Sequence, residues 1–324
     1  MNIAIIGGGN IGSRHLQAIA RIDTQVDVYV VDPSDSARKL SEERFCEIEG
    51  HERHALNMIY SILELPQQIE IAIVATSSAI RRRIVEELVL HSKIQYMILE
   101  KFMFQTERDF DEIGKLLRSK NVIAYTDCIR RVMGGYKELK KTLDDASYID
   151  MSVTGGNWGL GCNAIHMLDI FAYLTNDNSL SADESMLDDF IYDSKRDDYI
   201  EFCGKLNIRG KRGILSLTSY NSELVLPSIV IQTDKKLVNI VESKKRIVTL
   251  ELDKPEGELG ICGEFDFLPT SITTTLVVND LIENGKCDLP TYEENAKLEV
   301  LLLNAFLRKM NKITGKDNKV CPIT

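Results

Sequence analysis

Short apolar runs alternate with amphipathic stretches along the first 126 residues. Ile3 to Ile6 is apolar, and Val26 to Val31, Ile69 to Ala75, Gln95 to Leu99 and residues 122–126 repeat the theme. Runs of this length suit parallel strands buried on both faces. Between them lie helical patterns. Ile11, Leu16, Ile19 and Ala20 form the first, residues 34–44 the second, a stretch opening at Arg81-Arg82-Arg83 the third, and residues 106–119 the fourth. Residues 61–65 read as a short segment before a strand, and His51-Glu52-Arg53-His54 as a polar stretch with solvated histidines. This alternation predicts a doubly wound parallel sheet.

The second half is patterned differently. Residues 130–143 end in a helix, and Tyr148 to Thr154 alternates as a strand. A glycine-dense loop, 155–163, precedes a helix over Ala164 to Leu174 with Met167, Ile170, Phe171 and Leu174 as its buried stripe. Asn163 is placed to cap that helix, which sets His166 in its first turn. Residues 175–195 are polar and read as an exposed loop or short helix. Tyr199–Ile208, Gly213–Ser219, Leu224–Gln232, Leu237–Val241 and Arg246–Glu251 are consecutive strands suited to one antiparallel sheet. Residues 272–283 and 292–313 are helical. The expected fold is α/β, with domains at 1–126 and 127–324 and the C-terminal helix and tail packing back on the first domain.

Composition narrows the function. The chain is 324 residues long, 44% hydrophobic and 27% charged, with a net charge of −10. That acidity argues against nucleic acid or an anionic membrane as partner. No apolar run approaches the roughly 18 residues that span a bilayer. The first strand belongs to the fold, which argues against a leader peptide. The seven cysteines are scattered, with no metal-ligand spacing, as in free thiols of a reducing cytoplasm. No metal site is expected.

The chemistry begins at Gly7-x-Gly9-x-x-Gly12, set between the first strand and the first helix. Gly7 permits a tight turn, Gly9 leaves room for a pyrophosphate, and Gly12 lets helix and strand approach. The helix N-terminus, with Asn10 and Ile11, aims free N–H groups at phosphate. Asp32 ends the second strand, 20 residues beyond Gly12, where a carboxylate holds a ribose diol and repels a 2′-phosphate. NAD is therefore expected ahead of NADP. Thr76 and Ser77, at the end of the third apolar run, suit contact with a cofactor or capping of the next helix. Arg81-Arg82-Arg83 oppose the helix dipole at a first turn; either they are solvated or one meets an anion.

These residues together resemble the Gfo/Idh/MocA family. The resemblance rests on Gly7-x-Gly9-x-x-Gly12-x-x-His15, Asp32, Ala75-Thr76, Glu100-Lys101, the Arg131 region, Gly161…His166-x-x-Asp169 and the Leu289-Pro290 ending. It implies a Rossmann domain followed by an α/β domain with an open, mostly antiparallel sheet, whose face often serves oligomerisation. It implies that Glu100 and Lys101 border the cofactor and that Lys101 and His166 are catalytic. His166 is then the acid/base and Lys101 the hydrogen-bond donor, or the reverse. Substrate contacts would come from Arg131, Trp158, Cys162, Asn163, Asp169 and Arg81, with Arg130 beside Arg131. Two positions depart from the family. Its Glu-Lys-Pro reads Glu100-Lys101-Phe102, and its aspartate four residues before the histidine is Cys162. The implied activity is hydride transfer on a sugar, polyol or nucleotide-sugar-like substrate by a homodimer or homotetramer. A lyase or hydrolase using tightly bound NAD transiently, and an NAD-binding regulator without turnover, are the other readings.

Overall fold

A computed structural model describes residues 1–177, 179–252 and 260–324. The first half runs β1 (Asn2–Ile6), α1 (Gly12–Ile19), β2 (Asp27–Val31), α2 (Asp35–Cys46), β3 (Ala55–Ile59), β4 (Gln68–Val74), α3 (Ser78–His91), β5 (Lys93–Leu99), α4 (Glu107–Ser119) and β6 (Ile123–Thr126). The second half continues with α5 (Gly134–Thr142), β7 (Ile149–Gly156), α6 (Leu160–Thr175), β8 (Ser181–Leu187) and the two-residue strands β9 (Tyr192–Asp193) and β10 (Ile200–Glu201). Then come β11 (Gly204–Arg209), β12 (Gly213–Tyr220), β13 (Ser228–Gln232), β14 (Lys236–Val241), β15 (Arg246–Glu251), β16 (Ile261–Glu264), α7 (Thr270–Asn284) and α8 (Tyr292–Thr314).

These elements form two compact units, which a single cut at residue 126 does not describe. One comprises Met1–Val132, Leu268–Ala296 and Thr324; the other comprises Met133–Phe267 and Lys297–Ile323. The helix at 272–283, expected in the second domain, belongs to the first unit. There α7 flanks α1: Thr275 Oγ1 donates to the Ala18 carbonyl at 2.8 Å, and Arg21 Nε donates to that of Ser271 at 3.3 Å.

The first unit is built on a six-stranded parallel sheet in the order β3-β2-β1-β4-β5-β6. Its core is the run of Ile3, Ile5, Val28, Val30, Ile71, Ile73 and Ile98, each 1% exposed or less. Strand order reverses between β1 and β4. Ligands bind such sheets outside the carboxyl ends of the strands at that reversal. The sequence pattern did not foresee β3. The 51–54 stretch is also corrected: His54 is buried and stands against the Phe45 ring at 6.3 Å.

The second unit holds an eight-stranded sheet, β16-β15-β14-β13-β7-β12-β11-β8. Most pairings are antiparallel, but β7 and β12 run parallel, with Met151 opposite Leu215 and Val153 opposite Leu217. Central residues alternate buried and half-buried, the period-two pattern of a sheet covered on one face. Residues 181–187, expected in a loop or short helix, are the edge strand β8. No described helix is long and apolar enough to cross a membrane.

Candidate nucleotide and active site

The glycine turn follows β1 directly. Gly7 has a φ of +98° and donates to the Val31 carbonyl at 2.8 Å, which ties the turn to β2. A Cβ on Gly12 would stand 1.7 Å from the Gly7 carbonyl oxygen, so only glycine lets α1 begin so close to the turn. A Cβ on Gly9 would meet nothing within 4 Å; the backbone there faces open space. Asn10 is exposed, and Ile11 is the N-cap of α1 without a side-chain cap bond. Asp32 is fixed from two sides. Gly8 N–H donates to its Oδ2 at 2.7 Å and Ser34 N–H to its Oδ1 at 2.8 Å. The carboxylate thus stands at the end of β2 beside the turn, with acceptor capacity left over.

Thr76 and Ser77 follow β4. The Thr76 Oγ1 is buried with no hydrogen-bond partner among the described residues. A buried hydroxyl left without a partner costs about 1–3 kcal/mol, which a ligand contact would offset. Ser77 is the N-cap of α3, but its side chain makes no cap bond, so the capping alternative does not use its hydroxyl. The first N–H inside that helix, on Ser78, donates to Thr324 Oγ1 at 3.2 Å. Open glycine backbone, an anchored Asp32 and an orphan hydroxyl at one sheet edge fit a dinucleotide.

Arg81 corrects a sequence expectation. It is 1% exposed and is no surface contact for an anionic substrate. Its guanidinium donates to the carbonyls of Thr76, Phe102 and Met103. It thereby joins the end of β4 to the turn that carries Lys101. Lys101 is half-buried, and the Lys101–Phe102 peptide is cis although no proline is present. Phe102 is fully buried, edge-on to the Phe110 ring at 6.4 Å. An apolar pocket and a buried guanidinium therefore hold this turn.

Glu100 points inward. His15 Nε2 lies 3.0 Å from Glu100 Oε1 and 4.0 Å from Asp127 Oδ2, and His15 Nδ1 lies 2.8 Å from Thr274 Oγ1. All three titratable groups are buried. Burial opposes charge on His15, but the Glu100 hydrogen bond and the Asp127 and Glu100 charges raise its pKa. Burial also opposes charge on Glu100, yet the His15 hydrogen bond and the His15, Lys101 and Arg81 charges bring it down to about 2. Asp127 is pushed up to about 8 by burial and then by the Glu100 charge. Sequence reasoning missed Asp127. Its one signal was an acidic residue directly after the last apolar strand. Arg130 and Arg131 follow in a single turn of 3-10 helix, Ile129–Val132, and are half-buried.

The other site residues lie in the second unit, on α6 and, for Trp158, just before it. That helix begins at Leu160, with Gly159 as N-cap at φ +75°. Asn163 is therefore inside the helix and is not its cap. Its Nδ2 donates to the Trp158 carbonyl at 2.7 Å. His166 falls in the second turn, one turn beyond Cys162 on the same face, and both are half-buried. The Cys162 thiol lies 3.5 Å from the Gly159 carbonyl. Trp158 Nε1 donates to the Thr218 carbonyl at 2.9 Å, which fixes the indole against the sheet. Asp169 is fully buried and is not open to substrate. The Gly161 N–H at the start of α6 donates to Glu201 Oε2 at 2.6 Å, a carboxylate the sequence did not single out.

Strand order, glycine turn and Asp32 define an NAD-binding Rossmann domain. Residues 1–127 match the family model described as the GFO_IDH_MocA oxidoreductase family, NAD-binding Rossmann fold. No curated protein matches the chain. Solved structures match nearly its whole length. An oxidoreductase from Agrobacterium radiobacter, in complex with NAD+, L-tartaric acid and magnesium, is 13% identical with a TM-score of 0.71; 97% of this chain and 99% of that one are covered. The UDP-N-acetylglucosamine 3-dehydrogenase from Acidithiobacillus ferrooxidans is 12% identical with a TM-score of 0.70, covering 94% and 96%. A super-repressor mutant of Gal80p from Saccharomyces cerevisiae is 12% identical with a TM-score of 0.72, covering 96% of each chain. At these identities the likeness is one of fold.

Proposed function

We propose that this protein is an NAD-dependent oxidoreductase acting on a carbinol or carbonyl carbon of a sugar, polyol or nucleotide-sugar-like substrate. The observation that carries the reading is Asp32, whose carboxylate is held by Gly8 and Ser34 at the edge where the glycine turn opens. When bound, the nicotinamide supplies a hydride acceptor or donor. Gly9 and the N-terminus of α1 hold the phosphates. Asp32 accepts from the ribose diol and disfavours a 2′-phosphate. Thr76 Oγ1 and Ser77 donate to the nucleotide.

Lys101 is proposed to donate to the reacting oxygen and His166 to carry its proton. Arg131, Trp158, Cys162 and Asn163 are proposed as substrate contacts. Arg81 and Asp169 are removed from that set because both are buried. The substrate is a small molecule, and the protein works as a homodimer or homotetramer in a reducing cytoplasm.

Asp32→Ala tests the cofactor assignment. NAD affinity, measured by calorimetry, is expected to fall by roughly 10- to 100-fold, the worth of one or two hydrogen bonds to a charged acceptor, while NADP affinity is unchanged or rises. Equal NAD affinity in wild type and variant would remove Asp32 from the ribose. Lys101→Met and His166→Ala test the chemistry. Each is expected to lower kcat by roughly 100-fold or more with NAD binding intact, measured on a sugar and polyol panel. Full turnover in both would end the assignment.

The fold shared with Gal80p, together with Cys162 and Phe102, favours a second reading, an NAD-binding regulator. Under it NAD binds and every candidate substrate stays inert. A tightly held nucleotide that copurifies, with product formed but no net NADH, would point to transient use of NAD in a lyase or hydrolase.

A further inference from the structure

The buried set of His15, Glu100 and Asp127 is not used by the proposed chemistry, and it lies one residue from Lys101. Each member comes from a different element. His15 is on α1, Glu100 follows β5, and Asp127 follows β6. Strands β5 and β6 are adjacent, and the Asp127 N–H donates to the Leu99 carbonyl at 2.8 Å, so the two carboxyl groups are held side by side. One oxygen of each carboxyl group and a ring nitrogen of His15 lie within 4.8 Å of one another. Two like charges this close in a buried site cannot both persist, so one of the two carboxyl groups holds a proton.

The groups facing the pair fix where that proton sits. His15 bonds Glu100 through Nε2 and approaches Asp127 only to 4.0 Å. With Thr274 Oγ1 at its other nitrogen, the imidazolium has an acceptor at each end. Lys101 acts on both carboxyls, and Arg81 acts on Glu100. Cys287, from the segment after α7, feels Asp127 but is itself kept neutral by burial. The closer His15 contact and the Arg81 charge thus favour Glu100 as the anion and leave Asp127 as the neutral acid. Imidazolium, carboxylate and carboxylic acid then sum to zero charge, the arrangement a site sealed from water favours.

We propose that Asp127 is a positioning residue that stores a proton: as the neutral acid it donates to Glu100, and its ionisation places a net negative charge behind Lys101. A neutral set is indifferent to the charge of a ligand at the sheet edge. An anionic set favours the oxidised nucleotide, whose ring is a cation, over the reduced one. The proton itself is independent of any cofactor; the nucleotide preference rests on the dinucleotide reading above.

The sign of the pH dependence follows. The Asp127 pKa is raised in the folded state, from 3.8 to about 8. Between those values the folded chain holds a proton that the unfolded chain has lost. The stabilisation is complete below the unfolded value and disappears as pH rises through about 8. Asp127→Asn mimics the neutral acid and removes this dependence. The melting temperature of the variant minus that of wild type should therefore climb by roughly 2–4 °C per pH unit from about pH 6 to pH 8 and then level off. In the nucleotide-free protein, infrared spectra should show a carboxylic-acid band at neutral pH. That band should shift with isotope-labelled aspartate, vanish at alkaline pH and be absent from Asp127→Asn. The ratio of NADH to NAD+ dissociation constants should rise roughly three- to tenfold between about pH 6.5 and pH 9 in wild type and stay flat in the variant.

A flat melting difference with no acid band would overturn the proposal. If the band titrates but neither nucleotide binds, the stored proton stands and the dinucleotide reading fails. If both nucleotides bind with a ratio that ignores pH, the influence on the sheet edge is overturned. Tight stoichiometric uptake of Zn2+ by wild type, lost in Asp127→Asn, would overturn the shared proton in favour of a metal.

Discussion

Gly12→Ala is expected to abolish NAD binding and to destabilise the first unit. The new methyl carbon would sit 1.7 Å from the Gly7 carbonyl oxygen, a backbone atom that cannot rotate away. Either α1 retreats from the sheet or the turn opens. Retreat would also strain the contact between α1 and α7, where Thr275 donates to Ala18 and His15 reaches Thr274. Overpacking of this kind costs about 1–3 kcal/mol, and a clash with backbone belongs at or beyond the upper end. Calorimetry should give an NAD affinity lower by at least roughly 100-fold, because the N–H groups aimed at phosphate move with the helix. Gly9→Ala is the control. Its methyl meets nothing within 4 Å, so the fold should keep its stability, and only close approach of a ligand should suffer. Equal NAD affinity in wild type and Gly12→Ala would mean that the turn is not the phosphate site.

Arg81→Met is expected to be the most damaging change to turnover outside the groups that touch substrate. It removes the donor shared by the carbonyls of Thr76, Phe102 and Met103 and leaves them in a buried site. The loss should be about 3–5 kcal/mol, the scale for breaking a buried hydrogen-bonded charge. Melting should fall by roughly 10 °C. The turn bearing Lys101 loses its anchor, and a displacement of about 1 Å at a catalytic group costs on the order of 100-fold in rate. Arg81→Lys should recover part of the stability and little of the rate, because an ammonium cannot reproduce the planar fork that reaches separate carbonyls. A variant with wild-type melting and turnover would show that the hydrophobic seat of Phe102 is enough to hold the turn.

The parallel sheet was legible because its central strands are buried on both faces and leave unbroken apolar runs. The edge strands were not. Ala55 to Ile59 pairs only with β2 and is exposed or half-buried, so Ala-Leu-Asn-Met-Ile carries no strong signature. Residues 181–187 likewise form an edge, and their alternation is mostly of polar residues. The parallel pairing of β7 with β12 follows from topology, which strand propensity does not encode. At the site, Gly7, Gly9, Gly12 and Asp32 could be read because their spacing is local. Arg81 could not. Three consecutive arginines look alike in sequence, and only the fold buries the first while Arg82 pairs with Glu86, Asp109 and Glu112. Asn163 was misplaced because Asn is a common cap, whereas Gly159 takes the positive φ at the start of α6. The neighbours of Asp127 stand at positions 15 and 100 and meet only when the sheet is assembled.

The first unit takes its last helix from residues 268–296, more than a hundred residues after β6 ends. A ribosome therefore releases the whole parallel sheet long before the helix that covers α1 exists. Until then Ala18, Ile19 and the His15 imidazole lack the partners that α7 supplies. Synthesis from the N-terminus therefore cannot complete this unit before residue 268 has been made. The final assembly of the cofactor domain is in this way made conditional on near-complete translation of the domain that follows it.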